Sequence, residues 1–297
     1  MHIQIVSPSS CVDIEQIQRA QIQLQQLGHQ ISLSEHCTAQ HRYLAGTAAQ
    51  RIADLKQAML DPSIDAVWCA RGGTGAAQLL PAMDDWILNK PLIGYSDSTV
   101  LLNTIAMRGG QALHGPVFQE IAVKNTAEHA VSADALAVLK QLQHPHVTDL
   151  ALEPLNSLAQ HHTAPLHGKL LGGNLTVLAS LQGTQGALTL EQDSILLLED
   201  VGEPFYRLER SLDQLFASID ISRVKALVMG DFYQCPQKNV PHSLQQIFAE
   251  HCDAHAIALY ENQSFGHGHS NQPFWIGMDV FIQNQSLGSV HSVPSQT

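Results

Sequence analysis

Two short apolar runs that each empty into glycine restrict this chain's fold more than any other feature. Residues 66–70 lead into Arg71-Gly72-Gly73-Thr74-Gly75, and residues 91–95, which contain Gly94, lead into Ser96. Buried runs of that length, separated by stretches of helical periodicity, predict a parallel sheet covered by helices. The preceding chain agrees. Residues 3–6 read as a first strand, and 12–27 place Ile14, Ile17, Leu24 and Leu27 near helical spacing, with Gly28 as a left-handed stop. Residues 29–33 resume as a strand, and 48–60 form a second helix through Ile52, Leu55 and Met59. Parallel strands bring both glycine turns to one edge of the sheet, where ligands of α/β folds bind.

From about His144 to Pro165 the periodicity fades into sequence rich in Pro, His and Asn. The expected organisation is an N-terminal α/β domain over 1–145, a linker over 146–165 and a β-rich C-terminal domain over 166–297. Within the last, 194–198, 226–229 and 256–260 read as strands, 206–218 as a helix and 274–291 as short alternating strands.

Composition excludes several functions. A net charge of −12 with 15 scattered Lys and Arg argues against a nucleic-acid partner. No run of about 18 apolar residues offers a membrane span. The first residues read as a strand and not as an export signal, so a cytoplasmic location is expected. Five cysteines, an odd number without CxxC spacing, suit reduced packing residues. The 71–75 turn lacks the P-loop Lys-Ser/Thr pair and the full dinucleotide pattern, so no cofactor is expected. A small or zwitterionic ligand fits better.

Leu92-Ile93-Gly94-Tyr95-Ser96-Asp97-Ser98-Thr99 carries a strand through glycine and serine into a helix start. A serine at such a turn lifts its hydroxyl from the sheet, and the next N–H can face a developing oxyanion. The pattern lacks the last glycine of G-x-S-x-G, which leaves a helix-capping role for Ser96 open. The 71–75 turn could supply a second oxyanion N–H. Glu199 and Asp200 end a strongly apolar strand, where a partly buried charge needs a partner. Glu203 and Glu209 have Arg207 and Arg210 nearby as partners. Among seventeen histidines, His267 in Ser264-Phe265-Gly266-His267-Gly268-His269 stands in a glycine-flanked loop after the 256–260 strand. His269 is the alternative base. The pair also suggests zinc, but with no third ligand or helical spacing no metal is expected.

Taken together, these segments resemble the LD-carboxypeptidase family, the S66 serine peptidases, which includes the microcin C immunity peptidases. The resemblance rests on Arg71-Gly72-Gly73-Thr74-Gly75-Ala76, Gly94-Tyr95-Ser96-Asp97, His114-Gly115-Pro116 and Gly168-Lys169-Leu170-Leu171-Gly172-Gly173-Asn174-Leu175. It continues with Leu198-Glu199-Asp200, then Glu203-Pro204-Phe205-Tyr206-Arg207 with Arg210, and Gly266-His267. It implies a flavodoxin-like or class I amidotransferase-like N-terminal domain and a smaller β-rich α+β C-terminal domain. It also implies a catalytic triad of Ser96, Glu199 and His267, an oxyanion hole from the N–H groups of Gly73 and Asp97, and a homodimer. The implied activity is release of terminal D-alanine from cytoplasmic murein tetrapeptides at an L,D bond during cell-wall recycling. Two alternatives stand beside it: an immunity-type peptidase acting on an aminoacyl nucleotide, and a non-catalytic small-ligand module. Thr74 departs from the family, which often has Tyr there, and this puts in doubt any contact made by that ring.

Overall fold

The computed structural model describes residues 1–126, 131–145, 150–239 and 241–289. The chain divides into two compact units, one of Met1–His144 with His269–Pro273, the other of Pro145–Gly268 with the chain from Phe274 onward.

The first unit is built from β1 (His2–Val6), α1 (Ile14–Gln26), β2 (Gln30–Leu33), α2 (Ala48–Leu60), β3 (Ala66–Cys69), β4 (Leu92–Gly94), α3 (Thr99–Met107), β5 (Ala112–His114) and α4 (Ala133–Gln143). Its strands run parallel in the order β5-β4-β3-β1-β2. That is the 2-1-3-4-5 order of flavodoxin-like doubly wound sheets. Local chemistry sets the helix starts. Asp13 caps α1 by accepting from the Glu15 and Gln16 N–H groups, and Thr47 with Gln50 forms a capping box on α2. α1 turns Ile17, Ala20 and Leu24 inward, whereas α2 buries Arg51 and Asp54 beside Leu55 and Met59. All four residues of β3 are buried, and the Trp68 indole N–H donates to the Pro116 carbonyl (2.7 Å).

The second unit holds β6 (Leu150–Ala151), β7 (Glu153–Pro154), α5 (Ser157–His161), β8 (Leu166–Asn174), α6 (Leu175–Ser180), β9 (Ser194–Val201), α7 (Phe205–Ser218), β10 (Val224–Tyr233), α8 (Leu244–Ala254), β11 (Ala258–Gly266), β12 (Phe274–Ile276), β13 (Asp279–Gln283) and β14 (Ser286–Ser289). An eight-stranded sheet runs β6-β14-β13-β8-β9-β10-β11-β7. Its centre, β8 through β11, is parallel, and its flanks are antiparallel.

Two expectations need correction. Of the segment expected as a linker, 146–149 lie outside the described residues, while 150–161 supply both edge strands and a helix to this sheet. Pro154, which has no N–H to donate, suits the edge strand β7. The strand expected over 256–260 begins at Ala258 and continues to Gly266, so 264–266 are strand and not loop. The polar run Glu261-Asn262-Gln263-Ser264 hid this continuation. Of the alternating strands expected over 274–291, β12 to β14 reach Ser289, and 290–291 lie outside the described residues.

Candidate active site

In the first unit the chain leaves β4 through Tyr95 and turns sharply at Ser96, whose φ of 61° is left-handed. A non-glycine residue there costs about 1–3 kcal/mol and persists only where the surroundings impose it. Neither the short helical turn Ser96–Ser98 nor α3 begins with a side-chain cap, so Ser96 does not serve as a helix cap. Its half-buried hydroxyl faces the neighbouring glycine turn. A Cβ placed on Gly72 would lie 2.8 Å from Ser96 Cβ and 2.9 Å from Oγ, so glycine at 72 makes the approach possible. The Asp97 carboxylate points back and accepts the Ala76 N–H (2.8 Å), tying the two turns together.

In the second unit Glu199, at the end of the apolar run in β9, is fully buried. Its Oε2 lies 2.6 Å from Nδ1 of His267, the residue that follows β11. Glu199 Oε1 has no hydrogen-bond partner among the described residues. A desolvated carboxylate needs a strong partner, and imidazole Nδ1–H supplies one. The structure therefore brings together two of the expected residues, Glu199 and His267, and places Ser96, Gly73 and Asp97 in the other unit.

The N-terminal domain of LD-carboxypeptidases matches residues 3–115, and the C-terminal domain matches residues 167–282. The chain belongs to the LD-carboxypeptidase family. A murein tetrapeptide carboxypeptidase of Pseudomonas aeruginosa is 39% identical over 289 residues, covering 96% of this chain and 94% of that protein. Among solved structures, an MccF-like protein of Bacillus anthracis aligns with a TM-score of 0.81 at 26% identity, covering 97% of this chain and 96% of that one. A muramoyltetrapeptide carboxypeptidase from Oxalobacter formigenes aligns with a TM-score of 0.82 at 23% identity over 97% of each chain, which extends the likeness in fold.

Several residues of this LD-carboxypeptidase family member that support the site escaped the sequence reading. Ser10 N–H donates to the Gly72 carbonyl (3.3 Å), and Ser10 Oγ accepts the Thr74 N–H (3.1 Å), so residue 74 is held through its backbone. The exposed Thr74 side chain takes no part in that bond, and the family's usual aromatic ring is not needed for it. Buried Arg51 donates to the carbonyls of Pro8 and Gly75 and to Gln78. Desolvation lowers its pKa, and the nearby Asp97 charge opposes that shift. A basic residue inside the apolar stripe of α2 was the available signal. In the second unit Gly266 (φ 127°) lies against Asp231, and a Cβ on Gly268 would run into the Asp231 carboxylate. The glycines flanking His267 thus fit around Asp231, which a shift of register in β10 presents.

Asp200, beside Glu199, accepts from Thr176 N–H (2.8 Å), Thr176 Oγ1 (2.7 Å), Asn174 Nδ2 (3.2 Å) and its neighbour Val201 N–H (2.8 Å). Burial first, then the Glu199 charge, raises its pKa. It anchors the start of α6 to β9 and leaves the His267 partnership to Glu199. The buried Cys69 thiol is pushed up to about 12 by desolvation, so it stays protonated near neutrality and cannot compete as a nucleophile. Two arginines of the segments that carry the resemblance have partners close by: Arg71 donates to the Cys11 carbonyl (2.6 Å), and Arg207 pairs with Glu203 (3.4 Å). Glu209 instead lies 3.4 Å from His251.

Proposed function

We propose that this chain is a serine-type LD-carboxypeptidase that hydrolyses the L,D bond of murein tetrapeptides and releases the terminal D-alanine. The observation that carries this reading is the fully buried Glu199 carboxylate 2.6 Å from His267 Nδ1, in a chain 39% identical to a murein tetrapeptide carboxypeptidase. In this mechanism His267 Nε2 takes the Ser96 proton as Oγ attacks the scissile carbonyl, and Glu199 fixes the tautomer and stabilises the imidazolium. The N–H groups of Gly73 and Asp97 receive the oxyanion. Collapse of the tetrahedral intermediate passes the proton to the departing amine of D-alanine. Water, deprotonated by His267, then cleaves the acyl-enzyme and restores Ser96.

The same reading takes the protein as a cytoplasmic homodimer acting on small peptides, neither on nucleic acid nor at a membrane. Its acidic charge speaks against a nucleic-acid partner, and no helix among the described residues is long and apolar enough to cross a membrane. Sedimentation of the purified protein tests the dimer. Incubation with disaccharide tetrapeptide is expected to release free D-alanine, and Ser96→Ala to release none. Absence of D-alanine from folded wild-type protein, with turnover of an aminoacyl sulfamoyl nucleotide instead, transfers the assignment to the immunity-type activity.

A further inference from the structure

The chain passes from the second unit to the first between Gly268 and His269, one residue after His267. The short segment His269–Pro273 that joins the first unit is held by a buried polar cluster. Asp134, in the first turn of α4 and 5% exposed, receives three hydrogen bonds. The Ser270 hydroxyl donates to Oδ1 (3.1 Å), Asn125 Nδ2 donates to the same oxygen (2.9 Å), and the Asn271 backbone N–H donates to Oδ2 (3.0 Å). The Asn271 side chain, 4% exposed, places Oδ1 3.2 Å from Nε2 of the fully buried His114. The His114 ring stands edge-on to the Tyr95 ring at 5.8 Å, and the Tyr95 hydroxyl donates to Glu120 (2.6 Å). Tyr95 directly precedes Ser96. The cluster therefore runs from the neighbour of Ser96 to a residue four positions beyond His267.

We propose that Asp134 is a positioning residue: its carboxylate fixes Ser270 and Asn271 and thereby holds, within the first unit, the point at which the chain arrives from His267. This rests on the reading of His267 as the base. A buried carboxylate with three donors is costly to lose, because those donors are then left unpaired. A base displaced by about 1 Å loses on the order of 100-fold in rate without losing substrate affinity.

The test compares wild type, Asp134→Ala, Asp134→Asn and Ser270→Ala. Measured for each are kcat and KM for D-alanine release per fluorophosphonate-titrated site, the rate of that labelling at Ser96, and amide hydrogen exchange over 266–273. Asp134→Ala is expected to lower kcat about 10- to 100-fold with KM within about twofold, to slow labelling in proportion, and to speed exchange at 269–273. Asp134→Asn keeps one acceptor and falls between; Ser270→Ala loses one bond and shifts the same readouts least. A kcat per titrated site within about twofold of wild type in Asp134→Ala, or unchanged exchange, overturns the proposal. If Asp134→Ala does not fold, Ser270→Ala decides: slower labelling with faster exchange supports the clamp, and wild-type values overturn it. Wild-type protein that releases no D-alanine refutes the carboxypeptidase reading, whereas labelling and exchange still test the clamp.

Discussion

The two units prepare their candidate residues by different physical means. The first unit displays its hydroxyl through the backbone: Ser96 is forced left-handed at the end of β4, and Gly72 yields the space beside it. The second unit prepares its imidazole through desolvation: Glu199 is buried in an apolar sheet where His267 is the hydrogen-bond partner of its carboxylate. Strain in the first case and burial in the second both hold stability back for function. The comparison predicts that variants of the two halves separate when activity and stability are measured together.

The largest effect belongs to Ser96. Ser96→Gly is expected to lose on the order of 10⁴-fold or more of D-alanine release, yet to unfold at higher temperature, because glycine relieves a left-handed residue by roughly 1 kcal/mol. A fall in melting temperature would break the claim that Ser96 is strained. Glu199→Gln comes next. It keeps the shape but no longer enforces the Nδ1–H tautomer, and is expected to cost about 10³- to 10⁴-fold in kcat. Unlike Ser96→Gly, it should bring no thermal gain from backbone relief. Gly72→Ala, which drives a methyl group toward Ser96 Cβ and Oγ, is expected to cost about 100-fold in kcat while leaving the Glu199–His267 pair intact. Slower fluorophosphonate labelling with an unchanged pH profile would confirm that only the nucleophile's side was disturbed.

The same division governs what the sequence made legible. The Ser96 turn was readable because every part of it is local: an apolar strand, glycines, a serine and a helix start lie within 71–107. Helix α2 likewise spans the 48–60 read from its periodicity, since Thr47 and Gln50 close its start. The pairing of Glu199 with His267 joins residues 68 positions apart through the register of β9, β10 and β11, and no local pattern encodes that. It came from family resemblance. Arg51 and Ser10 escaped because their role is to satisfy carbonyl and N–H groups of a turn distant in sequence. The full length of β11 was hidden because Glu261 to Ser264 are polar, with Gln263 exposed and the others only partly buried.

The smallest expected effect concerns stability alone and lies in the first unit, away from Ser96. His36 Nδ1 is 2.8 Å from Asp54 Oδ1, and its own N–H donates to Asp54 Oδ2 (2.9 Å). The hydrogen bond to Asp54, reinforced by the Asp54 and Glu35 charges against desolvation, raises the His36 pKa above 6.5. A raised folded-state pKa means that the folded protein holds the proton more tightly than the unfolded chain. The stabilisation is therefore complete below about 6.5, the unfolded value, and is lost as pH rises through the folded value. His36→Gln is expected to flatten this part of the stability-against-pH curve while leaving the pH dependence of D-alanine release where it was. Denaturant titrations of both proteins from pH 5.5 to about 8.5 measure the difference. If stability instead rises across that window in the wild type, or if the variant moves the activity profile, the separation of structural from catalytic histidine is wrong.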